Sequence, residues 1–64
     1  MYIKRLRDLR EDHDLHQKDV ACAINVTRRA YSFYETGKRQ LPLEVLVSLA
    51  KFYNTSTDYI LGIT

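Results

Sequence analysis

Four basic side chains gather in the middle of the chain, between positions 26 and 40. The members of this group are Arg28, Arg29, Lys38 and Arg39, and Glu35 is the one acid among them. Lysine and arginine bind phosphate oxygens, and the planar guanidinium of arginine can also donate two parallel hydrogen bonds to guanine O6 and N7. Such a group often forms only a solvated face, but on one helix and its following loop it is also typical of a polyanion site.

The overall charge gives no such indication, because ten Lys and Arg against eight Asp and Glu leave a net charge of only +2. The distribution of the charge is more informative. Positions 8 to 19 hold five acids against two basic residues, whereas positions 28 to 39 hold four basic residues against one acid. The sequence therefore predicts that the positive surface is confined to the middle of the chain.

Length and composition limit the possible classes of protein. A chain of 64 residues buries only about 60% of the surface that it exposes when unfolded, which predicts one small domain over residues 1–64. One cysteine excludes an internal disulfide framework. The charged amino-terminal segment argues against a secretory signal, and no apolar run reaches membrane-spanning length. We therefore expect a cytoplasmic protein outside the membrane.

A metal site and an enzyme are both disfavoured. His13 and His16, with Asp12, Asp14 and Cys22, are the only metal candidates, but the histidines fall in a predicted loop without a ligand-rich partner motif. We expect Cys22 to be a small packed residue. The chain lacks a nucleophile with a base and an orienting group, and it lacks a glycine-rich phosphate loop. We therefore expect no catalysis, no cofactor, no metal and no small-molecule ligand.

Hydrophobic periodicity predicts five helices, no strand and no internal repeat, and so a compact all-α bundle. Polar residues with cap or left-handed preferences mark the ends of these helices. The predicted helices run from Tyr2 to Asp12, from Gln17 to Ile24, from Arg28 to about Glu35, from Pro42 to Asn54, and from Ser56 to Gly62. We expect a sharp turn at Asn25, which tolerates a positive φ.

The third helix carries two different faces. Thr27 can cap it, and Ala30, Tyr31 and Tyr34 form an inner stripe that we expect to anchor it in the core. The outer stripe consists of Arg29, Ser32, Phe33 and Thr36. Two roles stay open for Phe33, either contact with a thymine methyl group or packing against Tyr34 or Lys38.

Two short helices separated by three residues, with small Ala21 at their crossing, are typical of a helix-turn-helix. The chain resembles the Cro/CI-type (XRE-like) helix-turn-helix transcriptional regulators over nearly all of its length. Arg10 and two stretches carry the resemblance, QKDVACAINVTRRAYSFYETGKRQ and LPLEVLVSLAKFYNTSTDYILG. It implies a lambda repressor-like DNA-binding domain, with the motif at about residues 17–36 and a recognition helix at about residues 28–35 in the major groove.

The resemblance also implies roles for individual residues. Gln17 would bind a phosphate at the start of the second helix, and Thr27, Lys38 and Arg39 would hold the backbone on the other side. An ion pair between Arg10 and Glu35 would join the first helix to the recognition helix. The complete expected DNA-binding set is Gln17, Thr27, Arg28, Arg29, Ser32, Phe33, Lys38 and Arg39.

The chain departs from the family pattern at three positions. His16 replaces the usual serine or threonine cap, Asn25 replaces a common glycine, and Thr57 replaces an apolar residue of the last helix. A missing cap costs about 1 kcal/mol, so we expect Asp14 or solvent to compensate and the second helix to fray at its start.

The predicted function is sequence-specific binding of double-stranded DNA by a transcriptional regulator, with repression as its mode. One recognition helix reads few base pairs, which favours a homodimer on a palindromic operator, with the fourth and fifth helices, Ile60 and Ile63 as its surface. The alternative is a small antitoxin or adaptor of the same fold that acts mainly through protein binding. Exposure of Phe33 and the apolar carboxy-terminal YILGIT would favour that alternative.

Overall fold

A computed structural model describes residues 2–63 and contains five α-helices in that range, with no strand. The helices are α1 (Lys4–Asp12), α2 (Gln17–Ala23), α3 (Arg28–Thr36), α4 (Leu43–Phe52) and α5 (Thr57–Leu61). The predicted all-α fold is confirmed. α1 begins two residues later than predicted, because Ile3 has an extended backbone and only caps the helix.

Left-handed residues make the sharp joints between the helices. Asn25 has φ 62° between α2 and α3, Gly37 has φ 78° after α3, and Asn54 has φ 54° after α4. Asparagine and glycine tolerate this conformation better than other residues. The turn predicted at Asn25 is therefore confirmed, and it fixes the angle at which α3 leaves α2.

Side chains cap the starts of three helices. The Oγ1 atom of Thr27 accepts the N–H of Ala30 at 3.0 Å, and the hydroxyl of Ser56 accepts the N–H of Tyr59 at 3.0 Å. At α2 the backbone N–H of His16 donates to the carboxylate of Asp19 at 2.9 Å. We expected Asp14 or solvent to compensate for the missing cap, whereas the structure shows Asp19 in contact with the backbone at this position.

The core lies where the inner faces of the helices meet. Leu6 of α1, Tyr31 of α3, Leu49 of α4 and Ile60 of α5 are completely buried. α2 packs most extensively on α3, so the two helices of the motif support each other. The inner stripe that we predicted for α3 is confirmed, since Tyr34 is buried beside Tyr31.

Two sequence-based expectations are wrong. Cys22 is exposed, because each helical residue turns by about 100° and Cys22 therefore lies opposite the buried face of Val20 and Ile24. Ile60 is completely buried, so it belongs to the core and cannot contribute to a dimer surface. Among residues 2–63, no helix has the length and apolar character that crossing a membrane requires.

Candidate nucleic-acid interface

The outer face of α3 presents two arginines at its amino-terminal end. The Thr27 cap starts the helix at Arg28, so Arg28 and Arg29 lie in the first turn, and both are exposed. Within residues 2–63 neither side chain forms an ion pair. The arginines of this turn are therefore open to an external acceptor.

Phe33 follows one turn later and lies against two guanidinium groups. The Cζ atom of Arg29 is 5.5 Å from the centroid of the Phe33 ring, and the Cζ atom of Arg39 is 5.3 Å from it. Phe33 is only partly exposed. Its neighbours in the cation–π contacts are thus Arg29 and Arg39, whereas the sequence had suggested Tyr34 or Lys38.

The loop after α3 returns to the outer face of the helix. Gly37 ends α3 in the left-handed conformation, and the N–H of Arg39 donates to the carbonyl oxygen of Phe33 at 3.2 Å. Lys38 and Arg39 are exposed, and Ser32 is partly exposed on α3. The structure therefore brings Arg29 and Phe33 of α3 together with Arg39 of this loop.

Gln17 lies at the start of α2 and shares a cleft with Arg28 of α3. Its Nε2 atom donates to Oε1 of Glu35 at 3.3 Å, a contact that the sequence did not predict. The cleft has a volume of about 350 Å³, and the residues that line it are Arg10, His16, Gln17, Lys18 and Arg28.

Sequence reasoning missed Lys18 as part of this site. The available signal was its place directly after Gln17, in the first turn of α2. The cleft therefore brings basic side chains from α1, α2 and α3 together.

Beneath the cleft, Arg10 and Glu35 form a two-point ion pair. Nη2 of Arg10 is 2.8 Å from Oε1 of Glu35, and Nε of Arg10 donates to Oε2 at 2.9 Å. The third donor of Arg10, Nη1, reaches the carbonyl oxygen of Leu15 at 3.0 Å. The side chains are 15% and 5% exposed, so this pair holds α1 against the end of α3 away from solvent.

The ion pair sets the protonation of its surroundings. Burial alone would raise the pKa of Glu35, but the hydrogen bonds and charge of Arg10 hold the pKa of this carboxyl below its ordinary value. The hydroxyl groups of Tyr31 and Tyr53 are buried beside this pair, and Tyr31 lies near enough to Glu35 to help lower the pKa of that carboxyl. Burial raises the pKa of Tyr53 to about 12 and the pKa of Tyr31 further still. Near neutral pH the group therefore holds one ion pair and two neutral tyrosines.

Of the two histidines proposed as metal candidates, His16 lines the cleft beside Gln17, whereas His13 lies at the end of α1. Nδ1 of His13 is 2.9 Å from the carbonyl oxygen of Leu9, and the His13 ring packs on Tyr53 with 5.1 Å between centroids. Throughout residues 2–63, no group of three or more His, Cys, Asp or Glu side chains could hold a metal ion. His13 thus packs at the end of α1 as a structural residue.

Comparison with known proteins matches residues 6–60 to the helix-turn-helix family. An uncharacterised HTH-type transcriptional regulator of Bacillus subtilis, YobD, is 44% identical over 64 residues, which cover all of this chain and 57% of that protein. RstR, a cryptic phage CTXphi transcriptional repressor of Vibrio cholerae, is 43% identical over 53 residues, covering 83% of this chain and 48% of RstR.

Among solved structures, a transcriptional regulator from Listeria innocua superimposes with a TM-score of 0.87 at 27% sequence identity. The alignment covers 97% of this chain and 58% of that protein. The chain thus spans about half the length of the curated relatives that it matches.

Proposed function

The chain belongs to the helix-turn-helix family, and from that premise we propose that residues 1–64 form the DNA-binding domain of a transcriptional regulator. The regulators that it matches are not enzymes, and neither is this chain. The proposed ligand is double-stranded DNA, read in the major groove by α3. The groove is about 12 Å wide and admits one α-helix.

One observation carries the proposal, namely the division of α3 into a buried face and an unpaired cationic face. Tyr31 and Tyr34 hold the inner face in the core, while Arg28 and Arg29 stand exposed without an ion pair in the described chain. Cations at the positive amino-terminal end of a helix do not stabilise the helix itself, which favours an anionic partner at this end. A guanidinium at that end can bind guanine O6 and N7, which adds about 1 to 3 kcal/mol of base discrimination.

Contacts to the DNA backbone would come from both sides of α3. On one side Lys38 and Arg39 extend from the loop, and on the other side the cleft beside Gln17 collects Lys18 and Arg28. Phosphate contacts set the register of a protein on the duplex without reading sequence, and they make affinity fall steeply with salt. Gln17 would turn from Glu35 toward a phosphate, or donate its second amide hydrogen to it.

The size of the domain supports the homodimer that we propose. The longest dimension of the described chain is 28 Å, whereas the half-sites of the proposed palindromic operator would be about 34 Å apart along the duplex. One copy would therefore read one half-site, and a second copy would read the other. We place their contact on α4, where Leu43 and Val47 are exposed, and on the end of α5 with the residues after it, where Leu61 and Ile63 are exposed. Sedimentation of wild type and of Ile63→Asp tests this surface, and the variant should shift toward monomer.

Repression is the mode that we propose, since a dimer seated on an operator blocks other proteins from the same duplex. RstR, one of the relatives, is named as a repressor. A regulator of this kind works where the bacterial DNA lies, in the cytoplasm.

A salt titration tests the function. A duplex selected from a random pool by the wild-type protein is compared with an unrelated duplex in a mobility-shift assay at rising salt. The regulator should keep the selected palindrome at a salt concentration that releases the unrelated duplex. Simultaneous loss of both would instead favour the antitoxin or adaptor, which the exposed Tyr59, Leu61 and Ile63 of the carboxy-terminal segment support.

A further inference from the structure

Phe33, Arg29 and Arg39 form a small unit on the outer face of α3, which we call the arginine brace. The two guanidinium carbons lie 5.5 and 5.3 Å from the centroid of the same ring. A cation within about 6 Å of an aromatic centroid is attracted by the electrons of the ring face. The ring therefore holds two positive charges that would otherwise repel each other.

The backbone fixes the same unit a second time. Arg39 donates its N–H to the carbonyl oxygen of Phe33 at 3.2 Å, so its main chain is tied to the residue whose ring its side chain contacts. Arg29 lies four positions before Phe33, which places the two side chains on one face of α3. Both arginines are exposed, and neither forms an ion pair with any described residue. The order of this unit therefore depends on Phe33.

We propose that Phe33 is a positioning residue that holds the base-reading Arg29 and the backbone-binding Arg39 in one fixed arrangement for duplex DNA. This inference rests on the proposed function and deepens it. A flexible arginine loses side-chain entropy when it binds, whereas a side chain already held in place loses less. Phe33 thereby couples base reading to backbone binding, and contact of its ring with a thymine methyl group is not its role.

Two substitutions distinguish the contribution of the aromatic ring of Phe33 from that of its apolar volume. Phe33→Leu keeps an apolar side chain but removes the ring, whereas Phe33→Tyr keeps the ring. We expect Phe33→Leu to bind the selected duplex about tenfold more weakly, to relax base preference at the position read by Arg29 and to lower the salt slope. Phe33→Tyr should bind within about twofold of wild type. Thermal unfolding should be equal for all three proteins, because Phe33 lies outside the buried core.

The double variant Arg29→Ala/Phe33→Leu measures whether Arg29 and Phe33 act together in DNA binding. If the ring acts through Arg29, Phe33→Leu should cost less in the Arg29→Ala background than in wild type. Equal costs in the two backgrounds would overturn the proposal, as would a Phe33→Leu variant that binds like wild type.

Deoxyuridine in place of thymidine removes only the methyl group and tests the competing role of the ring. If Phe33 acts through the arginine brace, each thymidine replacement should change the duplex affinity of wild type and of Phe33→Leu by the same factor. A replacement that weakens wild type tenfold and leaves Phe33→Leu unchanged would show that Phe33 reads the methyl group, and the proposal would fall.

The free protein provides a measurement that needs no DNA. We expect ring currents to shift the Nε–H resonances of Arg29 and Arg39 in an NMR spectrum of wild type, and these shifts should vanish in Phe33→Leu and persist in Phe33→Tyr. Their absence from wild type overturns the brace even if DNA binding is normal. If wild type shows the shifts but binds no duplex, the proposed function is wrong. The role of the arginine brace in DNA binding is then wrong as well, although the brace itself exists.

Discussion

Arg10 and Arg29 carry the same chemical group in opposite settings. Arg10 is 15% exposed in its side chain and meets Glu35 in two hydrogen bonds, whereas Arg29 is exposed and lies over the face of the Phe33 ring. A buried guanidinium must be paired, because the loss of water around an unpaired charge costs several kcal/mol, on the order of 3 to 5 when one partner is deleted. An exposed guanidinium keeps its water and can exchange it for an external acceptor. The comparison shows that burial decides which arginine is structural and which can bind a ligand.

Deleting the buried cation is the strongest way to sharpen this contrast. Arg10→Met strands the carboxylate of Glu35, so we expect the free energy of unfolding to fall by about 3 to 5 kcal/mol. Urea unfolding of wild type and of the variant measures this difference in the free energy of unfolding. The double variant Arg10→Met/Glu35→Leu removes both charges and should recover most of the loss. A single variant as stable as wild type would contradict the structural role of Arg10.

Acid should weaken the same pair. The pKa of Glu35 is lower in the folded protein than its ordinary value, so the unfolded state binds the proton more tightly. The contribution of Glu35 is therefore present above the unfolded pKa, about 4.3, and is lost as the pH falls through the lower folded pKa. Urea unfolding between pH 6 and pH 2 measures this loss, and the double variant should lack it. Parallel pH profiles for both proteins would refute this assignment.

The exposed arginine should show the reverse pattern. Arg29→Ala should weaken binding of the selected duplex by about 1 to 3 kcal/mol and relax its preference at one base pair. Its free energy of unfolding should stay within about 0.5 kcal/mol of wild type, because Arg29 lies outside the core. A loss of stability comparable to that of Arg10→Met would break the comparison.

Lys38→Ala separates two kinds of exposed cation. A loop lysine that binds only phosphate should weaken all duplexes alike, and the salt slope should fall by about one unit. Binding measured at several salt concentrations for selected and unrelated duplexes checks this. If Lys38→Ala and Arg29→Ala gave the same pattern across sequences, our division into base and backbone contacts would be wrong.

The smallest effect is expected at an ion pair that is itself exposed. Nε of Arg7 lies 3.2 Å from Oε2 of Glu11, with side chains 60% and 53% exposed. Arg7→Ala should change the free energy of unfolding by less than about 0.5 kcal/mol, because solvent screens such pairs. A loss above 1 kcal/mol would show that pairing alone, and not burial, gives Arg10 its importance.

The sequence predicted the fold well because the relevant signals are local. Thr27 and Ser56 cap helices through atoms three residues away, and Asn25 turns the chain by its own backbone preference. Each of these effects depends on neighbours in sequence. Local chemistry was therefore sufficient to predict the five helices and the inner stripe of α3.

The features that the sequence did not predict depend on contacts between distant residues. Ile60 follows an apolar pattern that is equally consistent with a core or a dimer surface, and only its packing in the bundle decides between them. The side chain of Gln17 turns to Glu35, 18 positions away. Arg39 reaches Phe33 only because Gly37 folds the loop back. Long-range geometry of this kind is not encoded in periodicity.

The two-faced character of α3 also bears on how such proteins diversify. Tyr31 and Tyr34 secure the helix from within, so replacements at Arg28, Arg29 and Ser32 leave the interior untouched. A duplicated gene could therefore drift to a new operator through a few codons while its product still folds. Phe33 is the exception on this face, because a change there moves two arginines at once.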